Sequence, residues 1–387
     1  MSAQESNTGT AALTQEEISQ RAKEAYFTAS QGQLIWQRFR KNRTAMIAVV
    51  ILFFLIFVGL IAPFLSPYDP TIAGRNKDYE NGAPQIPMFC DDNGCSARPF
   101  IHGVKRERSI KTNFRWVTTV DPDDRRYVHF FVDGWEYDMG PFTFTTHLFG
   151  VDDGKIHLFG TDNAGKDIFS RTLHAIYTSL AVGTLGVLIS FVMALMIGGI
   201  AGYFGGWIDS IIQMITDAIR TVPIIPLFMA LAAFIPDEWS SETRFFFISI
   251  IIGFINWPTL ARRVRTHLLV ERNQEYVLAA QLCGASAGHT IRRHLLPSFT
   301  SYIIVDLVIS FPYIVLSETA LSFIGLGLKD PVNSLGVMLQ NTTSADVLLN
   351  YQWYFIPVLF FIALVMAFVY VGDGLRDAAD PYSGTKK

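Results

Sequence analysis

Predominantly apolar stretches alternate with polar or broken ones along the chain. The first, Ala45–Leu65, stops at Ser66-Pro67-Tyr68-Asp69-Pro70, where two prolines forbid further helix. The second runs from about Ala175 to Tyr203, and the third from near Trp207 to Phe234. The fourth is Phe245–Leu260, the fifth about Tyr302 to Ile324, and the sixth Trp353–Val371. About 20 residues of helix cross the roughly 30 Å hydrocarbon layer of a bilayer, so the pattern predicts six spans. The third stretch is the least regular. Pro223 and Pro226 interrupt it, and Asp209, Asp217 and Arg220 sit in its first half. That arrangement predicts an amphipathic elbow at the membrane surface before the helix turns inward.

Between the first and second stretches lies a polar segment, residues 66–157, with many Pro, Gly, Asp and aromatic residues. Within it, Arg126-Tyr127-Val128-His129-Phe130-Phe131-Val132 alternates as a strand does. The segment is too long for a plain linker and too aromatic for disorder, which predicts an inserted strand-containing domain. At the N-terminus, Glu16, Glu17 and Glu24 precede the first apolar run, so no signal peptide is expected. Thr14-Gln15-Glu16-Glu17 is a capping-box pattern, and Gln31-Gly32 reads as a break after the short helix it would start.

Composition agrees with the spans. Half the residues are apolar and 17% are charged, against about a quarter charged in soluble domains. The fold class is therefore an all-α polytopic membrane protein of six transmembrane helices with an inserted strand-containing domain. A net charge of −3 gives no cause to expect nucleic acid. Orientation follows from Lys and Arg in the short flanks. Arg38, Arg40, Lys41 and Arg43 precede the first span and place residues 1–44 in the cytoplasm. Arg262, Arg263, Arg265, Arg272, Arg292 and Arg293 crowd the loop 261–298, also cytoplasmic by alternation, as is the tail 374–387 with Arg376, Lys386 and Lys387. The insert 66–157 then lies outside; its own basic residues do not count, because the rule fails for long translocated segments.

The loop 261–298 is longer than a connection needs and helical in composition. It reads Glu275-Tyr276-Val277-Leu278-Ala279-Ala280-Gln281-Leu282-Cys283-Gly284-Ala285, and later His294-Leu295-Leu296-Pro297. Gly284-Ala285 suits a tight end to one helix and the start of another. A surface hairpin without a partner is the plain reading; the sharper one is a docking element, since Ala279, Ala280 and Gly284 let another protein approach the backbone closely.

This loop resembles the EAA motif of ABC importer permeases: E-A-A, three residues, Gly, nine residues, I-x-L-P. Ala279, Ala280, Gly284, Leu296 and Pro297 fall in register, while Leu278 takes the Glu position and His294 the Ile position. Arg293-His294 is similar to the R-H-x-L-P ending of the dipeptide, oligopeptide and nickel branch, and Glu275 is an acid one turn from Leu278. Phe159-Gly160-Thr161-Asp162 through Gly165-Lys166-Asp167 to Ser170-Arg171 resembles that branch's F-G-T-D-x-x-G-R-D-x-x-S-R, with Lys166 for Arg. Leu321-Ser322-Phe323-Ile324-Gly325-Leu326-Gly327 resembles its L-S-F-L-G-L-G, and Gly372-Asp373-Gly374-Leu375-Arg376-Asp377 through Asp380-Pro381 its G-D-x-L-R-D-x-x-D-P. The likeness covers residues 35–70 and about 158–382, and long inserts after the first span resemble one subgroup of C-type peptide permeases.

The resemblance implies a type I importer permease in a bacterial inner membrane, both termini cytoplasmic. Its partners would be two ABC ATPase subunits, a homologous second permease and an extracytoplasmic substrate-binding protein. The sequence holds no G-x-x-x-x-G-K-[ST] loop, so the chain is expected to be no enzyme and to bind no cofactor, with ATP and Mg held by the ATPase subunits. Energy would then enter through Glu275, Leu278, Ala279, Ala280, Gly284, Ala285, His294, Leu296 and Pro297. The expected cargo is oligopeptide or dipeptide; oligosaccharides, opines and nickel complexes are alternatives within the branch. An ion-coupled secondary transporter would leave the basic loop unexplained, and a membrane-anchored scaffold would not need the glycines of the second span.

Intramembrane polar residues are candidates by default. Asp217 and Arg220 are spaced to pair with each other. Asp306 suits either the pathway or a basic residue of the partner permease, and Glu318 either substrate or the turn at Leu321–Gly327. Asn256 and Trp257-Pro258 are expected to break the fourth span. Gly198, Gly202 and Gly206 form G-x-x-x-G steps that predict close helix packing. Cys90-Asp91-Asp92-Asn93-Gly94-Cys95 lies on the oxidising side, where a disulfide is expected; two aspartates are too few for calcium, so no metal site is expected. Cys283 is expected to stay reduced.

Overall fold

The computed structural model describes residues 31–72, 79–92, 94–108, 116–152, 154–236, 238–298 and 300–380. The capping box at Thr14–Glu17 and the terminal Lys386 and Lys387 lie outside these residues. Helix α1 spans Gln31–Lys41 and begins at the Gln31-Gly32 pair, the first of the described residues. Burial holds it there: Phe39, 2% exposed, packs with Ala45, Val371 and Ala378. Helix α2, Arg43–Leu60, starts where Asn42 Oδ1 accepts the Ala45 N–H at 3.2 Å. It is apolar all round, and Val50, Phe53, Phe54, Phe57 and Leu60 are exposed. In a bundle of spans such a face meets lipid. A short helix, Ala62–Leu65, ends the first span.

The insert contains an antiparallel sheet of four strands in sequence order: β1 Met88–Asp91, β2 Gly94–Arg108, β3 Trp116–Met139 and β4 Phe142–Val151. Cys90 pairs with Cys95 across the β1–β2 turn, and their sulfurs are bonded. Ile101, Val128, Phe149 and Ile156 form a small core that continues onto Phe169 of the next helix. That helix, α3, spans Ile168–Phe204. It starts before the expected Ala175 because Asp167 caps it: Oδ2 accepts the Ser170 N–H at 2.7 Å.

Helices α4, Gly206–Thr221, and α5, Ile224–Ala232, are bent 86° to each other at Val222-Pro223. Helix α6, Ser241–Glu271, runs straight through Pro258 and well past Leu260. The expected break is absent because Trp257, Pro258, Leu260 and Ala261 are all buried against neighbouring helices, and packing outweighs one missing hydrogen bond.

The seam between α3 and α6 is set by glycines. A Cβ on Gly198 would lie 2.4 Å from the Ala261 carbonyl oxygen, and one on Gly202 2.9 Å from that of Arg265. Earlier on α3, the Gly186 carbonyl oxygen would lie 3.0 Å from a Cβ on Gly253 of α6. Numbers rise together on both helices, so they run parallel. Gly206 instead opens α4, with φ of 57° and open space around it.

After α6 come α7, Glu275–Leu282, then α8, Thr300–Phe323, α9, Leu335–Gln340, and α10, Ile356–Ala379. Helix α10 extends beyond Val371, and the Arg38 guanidinium donates to the Asp380 carbonyl at 3.1 Å, joining its end to α1. Among the described residues, five helices are long and apolar enough to cross a membrane, and the bent pair α4–α5 is a candidate sixth.

Candidate functional site

The loop after α6 folds into a helical hairpin held down by two side chains. Val277 of α7 and Leu295, both fully buried, pack on Val264 and Leu268 of α6. Helix α7 ends in a Schellman arrangement: the Ala285 N–H reaches the Ala280 carbonyl at 3.1 Å and the Gly284 N–H that of Gln281 at 2.9 Å. This reversal requires the left-handed backbone of Gly284, φ 83°. Ser286 then caps the short helix Ala287–Thr290, followed by a π-turn at Ile291–Leu295 and the short helix Leu296–Ser298.

The outer side of the hairpin is a concavity of about 700 Å³, floored by Ala279, Ala280, Gly284 and Ala285 and walled by Tyr276, His289 and His294. Nothing lies within 4 Å of the position a Gly284 Cβ would take. Glu275, Leu278 and Pro297 are exposed and Leu296 half-buried beside it. The row Leu278 and Leu282 points outward, Leu282 with 89% of its surface free. Sequence reading missed Leu282, Tyr276 and His289. The i, i+4 spacing of Leu278 and Leu282 was the available signal.

Arginines of α6 frame the hairpin's base. Arg262 pairs with Asp217 and Arg265 with Asp209, both on α4, and Arg263 pairs with Asp306 of α8. Asp217 therefore does not pair with Arg220 as expected: the amphipathic α4 lies across α6 and turns this carboxylate toward Arg262. Asp306 finds its cation inside the chain. Beside that pair, Asn256, Thr259, Arg263, Ser310 and Tyr313 line a cleft of about 190 Å³ between α6 and α8.

At the far end of α3 a second polar cluster joins distant segments. Asp162 pairs with Arg171, whose Nε donates to Asn333 Oδ1 at 2.6 Å, and Lys166 Nζ lies 2.6 Å from Asp330 Oδ1. Glu318, 1% exposed, accepts from Ser322 Oγ at 2.7 Å and from Ser334 Oγ at 2.8 Å. Ser322 Oγ in turn accepts the Leu328 N–H at 3.0 Å, so this carboxylate ties α8 to the turn that follows it and to the start of α9. Cys283 is exposed and free at the hairpin.

Residues 194–382 match the family of binding-protein-dependent transport system inner membrane components, and residues 30–84 the N-terminal membrane domain of oligopeptide transport permease C. The dipeptide transport system permease protein DppC of Bacillus subtilis is 30% identical over 91% of this chain and 86% of its own length. The oligopeptide transport system permease protein OppC of the same organism is 35% identical over 61% of this chain and 76% of its own. A solved inward-facing methionine ABC transporter aligns with a TM-score of 0.44 and 17% identity, over 54% of this chain and 96% of that one. The two matched regions contain the helical hairpin after α6 and the first span, and the likeness to DppC extends across both: the chain belongs to the membrane-spanning permeases of binding-protein-dependent ABC importers.

Proposed function

We propose that this chain forms half of the translocation pathway of an ATP-driven importer for oligopeptides or dipeptides, beside a homologous second permease. The cargo reading rests on relatives that carry dipeptides and oligopeptides by name. An extracytoplasmic binding protein delivers the cargo, and two ATPase subunits supply the energy, holding ATP and Mg that this chain does not bind. The observation that carries the reading is the hairpin groove. Its floor of Ala279, Ala280, Gly284 and Ala285 is bare, the exposed Leu278 and Leu282 stand on the same helix, and the hairpin rests on an ion-paired frame reaching α4 and α8. A push on such a hairpin moves helices rather than a loose loop. With Leu278 in the motif's acidic position, docking here is mainly apolar, and Glu275 is the nearby acid.

The parallel packing of α3 and α6 supports a reading of six spans. The chain between them must return along their shared length, roughly 40 Å at 1.5 Å per residue. Phe228 of α5 already packs with Val182 and Ile248, at the end of the seam opposite Gly198 and Gly202. The arginine-rich hairpin and both termini then face the cytoplasm of a bacterial inner membrane, and the sheet lies outside. The cleft beside the Arg263–Asp306 pair belongs to the pathway wall.

Co-purification tests the reading. The tagged chain is expected to bring a Walker-motif ATPase with it, and Gly284→Arg, which fills the groove floor, is expected to lose that ATPase while still inserting in the membrane. Recovery of the wild-type chain without any ATPase, or normal transport by Gly284→Arg, would overturn it.

A further inference from the structure

The β3–β4 hairpin heads toward the bilayer rather than away from it. Two ring contacts set its direction. Phe149 of β4 lies 5.8 Å from Phe169, in the first turn of α3, and Trp135 of β3 lies 6.1 Å from His174, further along the same helix. Moving along the hairpin from Phe149 toward its turn therefore follows α3 on its way into the membrane. The hairpin is pinned where the first span ends: Trp135 Nε1 donates to the Ser66 carbonyl at 3.2 Å, and His147 Nδ1 lies 3.0 Å from the Pro63 carbonyl. Beyond His147 the strand continues to Phe142, roughly 16 Å at about 3.3 Å per residue.

That free end is amphipathic. Tyr137 faces Phe144 and Met139 faces Phe142 across the strands. The rings of Tyr137 and Phe144 stack at 6.0 Å, and Phe142 follows at 6.4 Å. Phe142 and Phe144 are nevertheless 66% and 45% exposed. On the other face Thr143 donates to Asp138 at 2.8 Å. The short helix Ala62–Leu65 that ends the first span also meets the sheet, the ring of Phe64 lying 6.4 Å from that of Phe131. An exposed aromatic face, directed at the bilayer beside the end of the first span, has the chemistry of an interfacial anchor, where aromatic rings settle among headgroups.

We propose that the β3–β4 hairpin rests in the outer headgroup layer of the membrane, with Phe142 and Phe144 on its lipid side, and thereby fixes the height of the sheet above the spans. The proposal rests on the reading that the chain spans a membrane with the sheet outside, and does not depend on which ATPase or cargo it serves.

Site-directed spin labelling tests it on the full chain, purified with its partners and reconstituted in nanodiscs of phosphatidylcholine and phosphatidylglycerol. In a Cys283→Ser background, labels are placed at Phe142→Cys, Phe144→Cys and Thr143→Cys, with Val120→Cys on β3 far from the hairpin tip as the aqueous reference. The ratio of oxygen to nickel-chelate collisions is expected to be several-fold higher at 142 and 144 than at 120, and lower at 143 than at either neighbour. Ratios at 142 and 144 equal to that at 120 would place the tip in water and overturn the proposal. Labels at 142 and 144 closed to both reagents would assign the face to a protein partner instead, and would equally overturn it.

Discussion

Gly198 leaves no room for a side chain, since its missing Cβ would meet the Ala261 backbone, whereas Gly199 faces open space. Gly198→Val is therefore expected to wedge α3 from α6 and to cost about 1–3 kcal/mol, as overpacking does. Gly199→Val is expected to be near neutral; thermal unfolding of the two variants in detergent separates them. Glu318→Leu is expected to strand the hydroxyls of Ser322 and Ser334, at about 1–3 kcal/mol for each buried group left unpaired. Glu318→Gln keeps an acceptor oxygen and is expected to retain most of the stability in the same assay. The glycine seam was legible because its spacing alone specifies it. Ser334 was not legible as a partner of Glu318, because a turn far along the chain brings it there. Asp217 shows the opposite error: the i, i+3 rule offered Arg220, and the packing of α4 on α6 supplied Arg262 instead.

Among the elements, the β1–β2 turn is closed by the Cys90–Cys95 bond over a loop of six residues, so loop-closure entropy amounts to only about 2 kcal/mol. Reduction is expected to raise amide exchange in β1 and the adjoining part of β2 while leaving α3 and α6 unchanged; hydrogen-exchange mass spectrometry reads both in one experiment. Strand alternation at 126–132 announced β3, but its length, Trp116–Met139, did not show, because Pro122 and the bulge between Asp133 and Tyr137 interrupt the period. Helix boundaries behaved likewise. Apolarity marks where a helix meets lipid, so it located the middle of α3 and α6 and missed their polar ends, which depend on the Asp167 cap and on contacts with the docking hairpin.

For the whole molecule, the proposed six spans would place Cys283 on the cytoplasmic side. A membrane-impermeant maleimide is expected to label it in inside-out vesicles and not in right-side-out ones, with Cys283→Ser as the blank. Labelling from both sides equally would disprove the topology. The positions of the long apolar helices were readable from hydropathy, but the parallel pairing of α3 and α6 was not, because it rests on contacts between residues about 63 apart in sequence, such as Gly198 with Ala261. One consequence reaches beyond transport. Leu282 stands almost wholly in water on an isolated chain, with Leu278 beside it. A subunit made in excess of its partners thus displays an oily knob, the kind of mark by which quality-control proteases find orphans. Leu282→Ser is expected to lengthen the lifetime of the unassembled chain in a pulse-chase, even as it weakens assembly: stoichiometry would be policed by the same leucine that completes the machine.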